Sequence, residues 1–444
     1  MHNWPVAKIG EVAEKVGMGP FGSSIKVDTF VAEGVPVISG QHLHSFRLDE
    51  KPGFNFISSE HADRLRNANV QRGDVIFTHA GNIGQVAYIP ANSRFDRYVI
   101  SQRQFYMRCN KESIIPEFVV YFFKSVEGQH KLLANASQVG VPSIAQPVSY
   151  LRTVEIPLPP LSVQRAIAQV LGTLDDKIEL NRRMNETLEA LTHAIFKSWF
   201  VDFDPVRAKM DGRWRKGESL PGLPAQLHDL FPDQFVDSEL GEVPKGWKVG
   251  TLGDVAGHPR RGVQPDQIEP GTPYIALEHM PKRCIALSDW DTEKGLESNK
   301  FEFKKGEMLF GKLRPYFHKV GVAPVDGVCS TDIVVVSPKS EDWFGLVLGH
   351  VSSDAFVEYT NAGSTGTKMP RTSWGEMSRY SIDIPPKHVA AAFTSCLGPF
   401  VNRIVSGIHE SHTLTALRDA LLPKLISGEL HGKDAEKFIG RTAV

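Results

Sequence analysis

Three glycines near the start of the chain, Gly17, Gly19 and Gly22 in VGMGPFGSS, have the G-x-G-x-x-G spacing with which a backbone cradles a pyrophosphate. A dinucleotide fingerprint follows a strand, opens a helix and is answered by an acid about 20 residues on. Here Pro20 falls inside the motif, and the next residues, SSIKVDTFVAEGVPVIS, lead toward another strand. The glycines read instead as turn-makers that bring the backbone close to a ligand, with Ser23, Ser24 and Lys26 as the contacting side chains. Further along, FGKLRPYFHKVG (Phe310 to Gly321) crowds Lys312, Arg314, His318 and Lys319 around Tyr316 and Phe317. GHPRRGVQPDQ (Gly257 to Gln267) offers Arg260, Arg261, Gln264 and Gln267, and the first half offers Gln41, His42, Asn82, Gln102 and Arg103. Arg pairs bidentately with guanine, Gln suits adenine, Lys holds phosphate and an aromatic ring packs on sugar or base. These types suit double-stranded DNA. They are also ordinary surface-loop residues, and type alone leaves both readings open.

Bond-making chemistry is not signalled. There is no Walker A motif, LPPL and IPPK read as hinges, and no set of paired acids or Cys/His residues recurs with convincing spacing. The four cysteines form no C-x-x-C pair, which points to buried thiols in a reducing compartment and not to zinc or disulfides. Among 16 scattered histidines, His42 and His279 match across the repeat described next, without further matched ligands, so a core or hydrogen-bonding role outranks metal. A net charge of −1 excludes gripping nucleic acid by bulk charge, but allows it through segregated charge or a partner's help. The start carries no apolar signal region and no long apolar run is evident, so a cytoplasmic chain without a membrane span is expected.

These loops must be positioned by something, and the chain contains it twice. WPVAKIGEVA (from Trp4) is matched by WKVGTLGDVA (from Trp247), GVPVISGQHL (from Gly34) by GTPYIALEHM (from Gly271), RGDVIF (from Arg72) by KGEMLF (from Lys305), and EIPLPP (from Glu155) by DIPP (from Asp383). The offset shrinks along the chain, as when framework strands persist and loops change length. Each half alternates short β-rich runs with Gly/Pro/Asn turns and then passes a Pro-rich hinge into a long helical stretch.

The first stretch, capped by Ser162, places Ile167, Leu171, Leu174, Ile178, Leu188, Ile195 and Trp199 on one coiled-coil seam. The second places Phe393, Leu397, Phe400, Ile404, Leu414, Leu421 and Leu425 at a constant offset from the first set. Midway, Asn181 and Asn185 occupy seam positions, answered at the same offset by Gly407 and Ser411; they read either as buried residues that fix register or as a local exposed gap or cavity. Pro399 predicts a late start for the second helix and Pro423 a kink. A helix of this length is a rod of roughly 55 Å. Duplicated halves joined through paired rods predict an antiparallel, pseudo-two-fold object with its globular domains at opposite ends, suited to a linear periodic ligand.

Taken together, these segments resemble the specificity subunit of type I restriction–modification systems. The resemblance rests on EIPLPPLSVQRAIAQVLGTLDDKIELNRR, on SWFVDFDPVRAKMDG and LFPDQFVDSELGEVPKGW between the halves, on GKLRPYFHKV, and on ALLPKLISGEL near the end. It implies an α+β chain with two repeated α/β target recognition domains separated by two long conserved helices packed as an antiparallel coiled coil. The expected boundaries are 1–155 and 247–383 for the recognition domains, 156–201 and 384–430 for the helical regions, 202–246 for the linker and 431–444 for a tail. Each domain would read half of a bipartite DNA site, and the helices would set the spacer and dock two modification (methyltransferase) subunits. The chain would not be catalytic: S-adenosylmethionine belongs to the modification subunits, which methylate adenine at N6, and ATP and Mg to the restriction subunits of the full complex. The linker's Arg207, Lys209, Arg213, Arg215 and Lys216 read either as phosphate or partner contacts or as a solvated connector.

Overall fold

The computed structural model describes residues 4–430 apart from 23, 138–139, 240, 293–294, 296, 365 and 367–368; the expected tail, 431–444, lies outside the described residues. The chain divides into two compact units, one built from residues up to Ile178 and from Thr413 onward, the other from Glu179–His412.

In the first unit, alternating apolar runs form the eight strands of two four-stranded sheets: β1 (Ala13–Met18), β2 (Val35–Ile38), β3 (Asn55–Ile57), β4 (Asn69–Gln71), β5 (Asp74–Thr78), β6 (Val86–Tyr88), β7 (Arg97–Ile100) and β8 (Gln104–Cys109). They make an antiparallel sheet in the order β1-β8-β5-β6 and a mixed sheet in the order β3-β2-β7-β4, in which β2 and β7 run parallel. Val75, Phe77, Phe105 and Met107 pack toward the helix Pro116–Lys124, while Ile76 and Tyr106 face the second sheet. This is the alternation expected of strands buried on both faces.

The second unit repeats the plan with β9 (Ala256–Gly257), β10 (Gly262–Val263), β11 (Pro273–Ile275), β12 (Asp291–Thr292), β13 (Lys300–Phe303), β14 (Met308–Gly311), β15 (Val320–Val322), β16 (Gly327–Cys329) and β17 (Ile333–Pro338). Its sheets run β9-β17-β14-β15 and β10-β13-β16-β11-β12, with β11 and β16 parallel. Apart from the added edge strand β10, every strand of these two sheets has its counterpart in the first unit. The recurring acid of RGDVIF and KGEMLF is structural in both. Asp74 accepts from Gln71 N at 2.9 Å and Glu307 from Lys304 N at 2.7 Å, and each buried carboxylate pairs with an arginine, Arg108 or Arg261.

The two helices are α1 (Leu161–Phe200) and α2 (Lys387–Ser427). In the first unit Ile167, Leu171 and Leu174 of α1 share a core with Leu421 and Leu425 of α2, with Leu414 partly buried beside them. In the second, Trp199 meets Phe393 at 5.3 Å between ring centroids, and Leu397 and Ile404 are buried with Leu188, Ile195 and Phe400 partly covered. Ile178 is half-buried. Numbering rises along α1 as it falls along α2, so the pair is antiparallel. Each fully buried Leu or Phe contributes about 1.5–3 kcal/mol by leaving water.

The mid-seam asparagines are buried. Asn181 donates to Ser411 Oγ at 3.3 Å and accepts from Arg403 at 3.4 Å, and a Cβ on Gly407 would stand 2.9 Å from Asn185 Oδ1. Gly407 therefore makes room for the Asn185 amide.

Two local expectations are corrected. The first helix starts at Leu161, so Ser162 is inside its first turn and does not cap it. The second starts at Lys387, not near Pro399, and continues through Pro423 to Ser427. The side of the helix at Pro399 is exposed, so the carbonyl left without a donor faces water, while buried Phe393, Leu397 and Val401 hold the flanking turns. By length and composition α2 also has an 18-residue window apolar enough to cross a membrane; its apolar residues Phe393, Leu397, Ile404 and Ile408 belong to the core.

The segment 202–246 is folded into the second unit. Phe203, Val206, Trp214 and Phe231 are buried with Trp199 and Trp247. Its cations are tied down locally: Lys209 donates to His228 O and Phe231 O, Arg207 to Asp202 O, Arg213 pairs with Asp211 and Lys216 with Asp229.

Candidate nucleic-acid interface

Of the opening glycines, Gly17 and Gly19 face protein, whereas a Cβ on Gly22 would meet nothing within 4 Å. A Cβ on Gly17 would stand 2.5 Å from the Tyr106 ring, and one on Gly19 only 2.0 Å from Ser101 O. Both are needed for β1 to lie close against its neighbours, and only Gly22 turns the chain with a left-handed φ of 64°. The reading of these glycines as turn-makers that bring the backbone close to DNA is corrected for Gly17 and Gly19; Gly22 is a turn glycine as expected.

What the two domains share is a set of four connections gathered at one edge. They are the loop after β1 or β9, the β5–β6 or β14–β15 loop, the turn before β8 or β17, and a segment before a short helix, Pro147–Thr153 or Trp374–Met377. In the first unit His79 N donates to Arg103 O at 2.9 Å, Gly81 N to Pro142 O at 2.9 Å and Ile144 N to His79 O at 2.8 Å. In the second, Lys312 N donates to Asp332 O at 2.9 Å, Arg314 N to Pro370 O at 2.7 Å and Thr372 N to Lys312 O at 3.0 Å. The backbone scaffold is one; the side chains on it differ.

Most sequence-predicted contacts fall on these connections. Lys26 and Gln264 occupy equivalent exposed positions, each opening a short 3₁₀ turn by donating its backbone N–H to the side chain three residues on (Thr29 Oγ1, 3.1 Å; Gln267 Oε1, 3.2 Å). Ser24 is exposed and donates to Phe21 O; Ser23 lies outside the described residues. Gln41, Gln102 and Arg103 line one cavity of about 210 Å³ with Ile25 and Phe30. Asn82 is exposed beside Gly81, where an added Cβ would be 3.4 Å from the Arg103 guanidinium.

In the second domain Arg260, Arg371 and Asp332 gather around Lys312, and Asp332 pairs with Arg371 at 2.9 Å. Partial burial lowers the Lys312 ammonium below its ordinary value; Asp332 opposes this, and Arg371 and Arg260 add to it. Burial likewise lowers His258, whose Nδ1 lies 2.8 Å from Val335 O, with Arg260, Lys312 and Arg261 repelling a proton there. The patch is thus a local concentration of positive charge in a chain of net charge −1, suited to a polyanion. Arg314 holds a left-handed backbone (φ 51°), and exposed Tyr316 packs on Phe317 at 4.8 Å.

One predicted contact, His42, is turned inward and is corrected, and two others, Arg261 and Lys319, are partly exposed but engaged by protein partners. His42 is 1% exposed, stacks on Phe54 and accepts from Ser39 N at 2.9 Å; His279 takes the same bond from Ala276 N at 3.0 Å, which explains why the histidine recurs. Arg261 neutralises buried Glu307. Lys319 donates its ammonium to Leu277 O. His318, also in the basic loop, is buried with Nε2 3.0 Å from Ser352 O.

Sequence reasoning missed Arg371, which the bridge between Leu313 and Arg371 brings onto the basic loop. It also missed Arg64, Arg66 and Asn67, which with Lys15, Phe21 and Gln146 line a groove of about 790 Å³ beside the opening stretch. No loop motif marks either group. Among the described residues no cluster of His, Cys, Asp or Glu is arranged to hold a metal ion.

Residues 1–190 match the family model for the type I restriction modification DNA specificity domain. The chain is 26% identical over 444 residues to the type I restriction enzyme MjaIX specificity subunit of Methanocaldococcus jannaschii, covering 96% of this chain and 94% of that one. It is 25% identical over 408 residues to the HindI specificity subunit of Haemophilus influenzae, covering 81% and 87%. The fold matches the crystal structure of the S subunit of a type I restriction–modification system from M. genitalium, with a TM-score of 0.55 at 14% identity over 96% of both chains. With its duplicated α/β domains and paired long helices, the chain is similar over nearly its whole length to specificity subunits of type I restriction–modification systems.

Proposed function

We propose that each four-loop edge reads one half of a bipartite DNA sequence, that the long helices set the spacer, and that the chain docks two N6-adenine methyltransferase subunits. The observation that carries this reading is the repeated scaffold with unlike side chains. At equivalent positions of the two domains His79 corresponds to Lys312, Arg103 to Asp332, Ser143 to Arg371 and Lys26 to Gln264. Two readers of different half-sites require such divergence on a common frame.

Docking is supported by the outer side of α1. Leu180, Met184 and Leu191 are exposed at helical spacing, in the same stretch as the ion pairs of Arg182 and Arg183 with Glu179 and of Arg182 with Glu186. That stripe suits a partner helix. Adenine N6 lies inside the duplex, so methylation needs the base flipped into the partner's pocket, where S-adenosylmethionine is held. This chain's part is to fix where on the duplex that happens. ATP and Mg belong to restriction subunits where these join.

Selection of binding duplexes from a random pool by the chain together with its modification subunits tests the reading. The expected product is two short motifs separated by unspecified bases; one continuous motif, or no enrichment, contradicts it.

A further inference from the structure

The fourth connection carries a feature that the polar readout does not use. Val141 precedes Pro142 in the first domain and Met369 precedes Pro370 in the second. The two positions are equivalent: Pro142 O accepts from Gly81 N at 2.9 Å, Pro370 O accepts from Arg314 N at 2.7 Å, and Ser143 and Arg371 bridge the same neighbouring loop at Ala80 and Leu313. Both side chains point to solvent, Val141 at 64% exposure and Met369 at 54%.

A single exposed apolar residue needs no explanation. Here the same character returns at the same place in both domains, while the polar residues around it have changed. The proline that follows restricts its predecessor to extended backbone, and the proline's carbonyl is pinned by the next loop. The apolar side chain is therefore held out on a stiff support, so little conformational freedom is lost when a ligand covers it. Lys312 and Arg371 in the second domain lie on the loops that Pro370 bridges, and in the first the Arg103 guanidinium lies beside Gly81, whose N–H donates to Pro142 O; this marks the ligand as a polyanion and not an apolar protein surface.

We propose that Val141 and Met369 are specificity-determining residues, each making an apolar contact with base edges in its own half-site. This rests on the bipartite reading above. Apolar contact with a thymine methyl group, or with the face of a partly unstacked base step, is the chemistry such a side chain offers.

The test uses the full chain with its modification subunits and a duplex containing both half-sites. Val141→Ser and Met369→Ser should each weaken binding by roughly tenfold, from the apolar area left in water. The dependence of affinity on salt should keep its slope, because no phosphate contact is lost. Scrambling one half-site should erase the effect of one substitution and leave the other intact. Both side chains are exposed, so folding is not at risk, and circular dichroism checks it. Unchanged binding by both variants, a lowered salt slope, or losses that ignore which half-site is scrambled overturns the proposal. If the unsubstituted complex itself shows no preference for the two-part site, the bipartite reading fails instead.

Discussion

His350 sits in the helix Phe344–Val351, edge-on to Phe196 of α1 at 5.0 Å, in the contact that seats the second recognition domain on its helices. The fit is close: a Cβ on neighbouring Gly349 would stand 2.0 Å from the Phe196 ring. Complete burial lowers His350 from 6.5 to about 3. In the unfolded chain the imidazole takes a proton near 6.5, whereas in the folded chain it does not until about 3. Its contribution to stability is therefore complete above about pH 6.5 and is lost as pH falls toward 3. At about 1.4 kcal/mol per pH unit, roughly 2 kcal/mol is gone at pH 5. Phe has a similar shape, does not titrate and suits a site where His350 Nε2 has no hydrogen-bond partner. Urea unfolding followed by tryptophan fluorescence reports on this unit, since Trp199, Trp214, Trp247, Trp290, Trp343 and Trp374 all belong to it. Between pH 7 and 5 the unsubstituted chain should lose about 2 kcal/mol more than His350→Phe, the other histidines being common to both. Equal losses would refute the argument that burial keeps this imidazole neutral.

Other consequences are as definite. Asp74→Ala leaves Arg108 without its two hydrogen bonds of 2.8 and 2.7 Å, and should destabilise the first domain by about 3 kcal/mol, read as lost hydrogen-exchange protection in β5 and β8. Arg371→Ala should lower the slope of log affinity against log salt by about 0.9, whereas Arg261→Ala should leave the slope unchanged and lower thermal stability, because its partner is Glu307. Inserting four residues into both long helices lengthens each by about 6 Å. That should add one or two base pairs, at about 3.4 Å each, to the spacer and leave both half-sites as they were. Altered half-sites would end the idea that the helices act as a ruler.

The duplication and the helical seam were legible because they are written in periodicity and in framework residues that packing constrains. Trp199, Phe393 and Leu425 are buried where their spacing requires. The interface was legible only to the level of the loop. Arg260 and Arg261 are adjacent and chemically identical, yet one is exposed and the other is held by a carboxylate 46 residues away. Lys319 and His42 were likewise claimed by long-range partners that no local pattern announces. Pro399 shows the same lesson in reverse: a strong local signal for a helix start yielded to the burial of its neighbours.

The central claim is that one chain places two readers on a duplex at a set separation. Sequencing of methylated bases in DNA from a host that expresses this chain with its modification subunits tests it most directly. The account predicts N6-methyladenine within a two-part motif whose halves differ in sequence and are separated by a constant number of unspecified bases. Methylation in a single uninterrupted motif, or methylation indifferent to the presence of this chain, would contradict it.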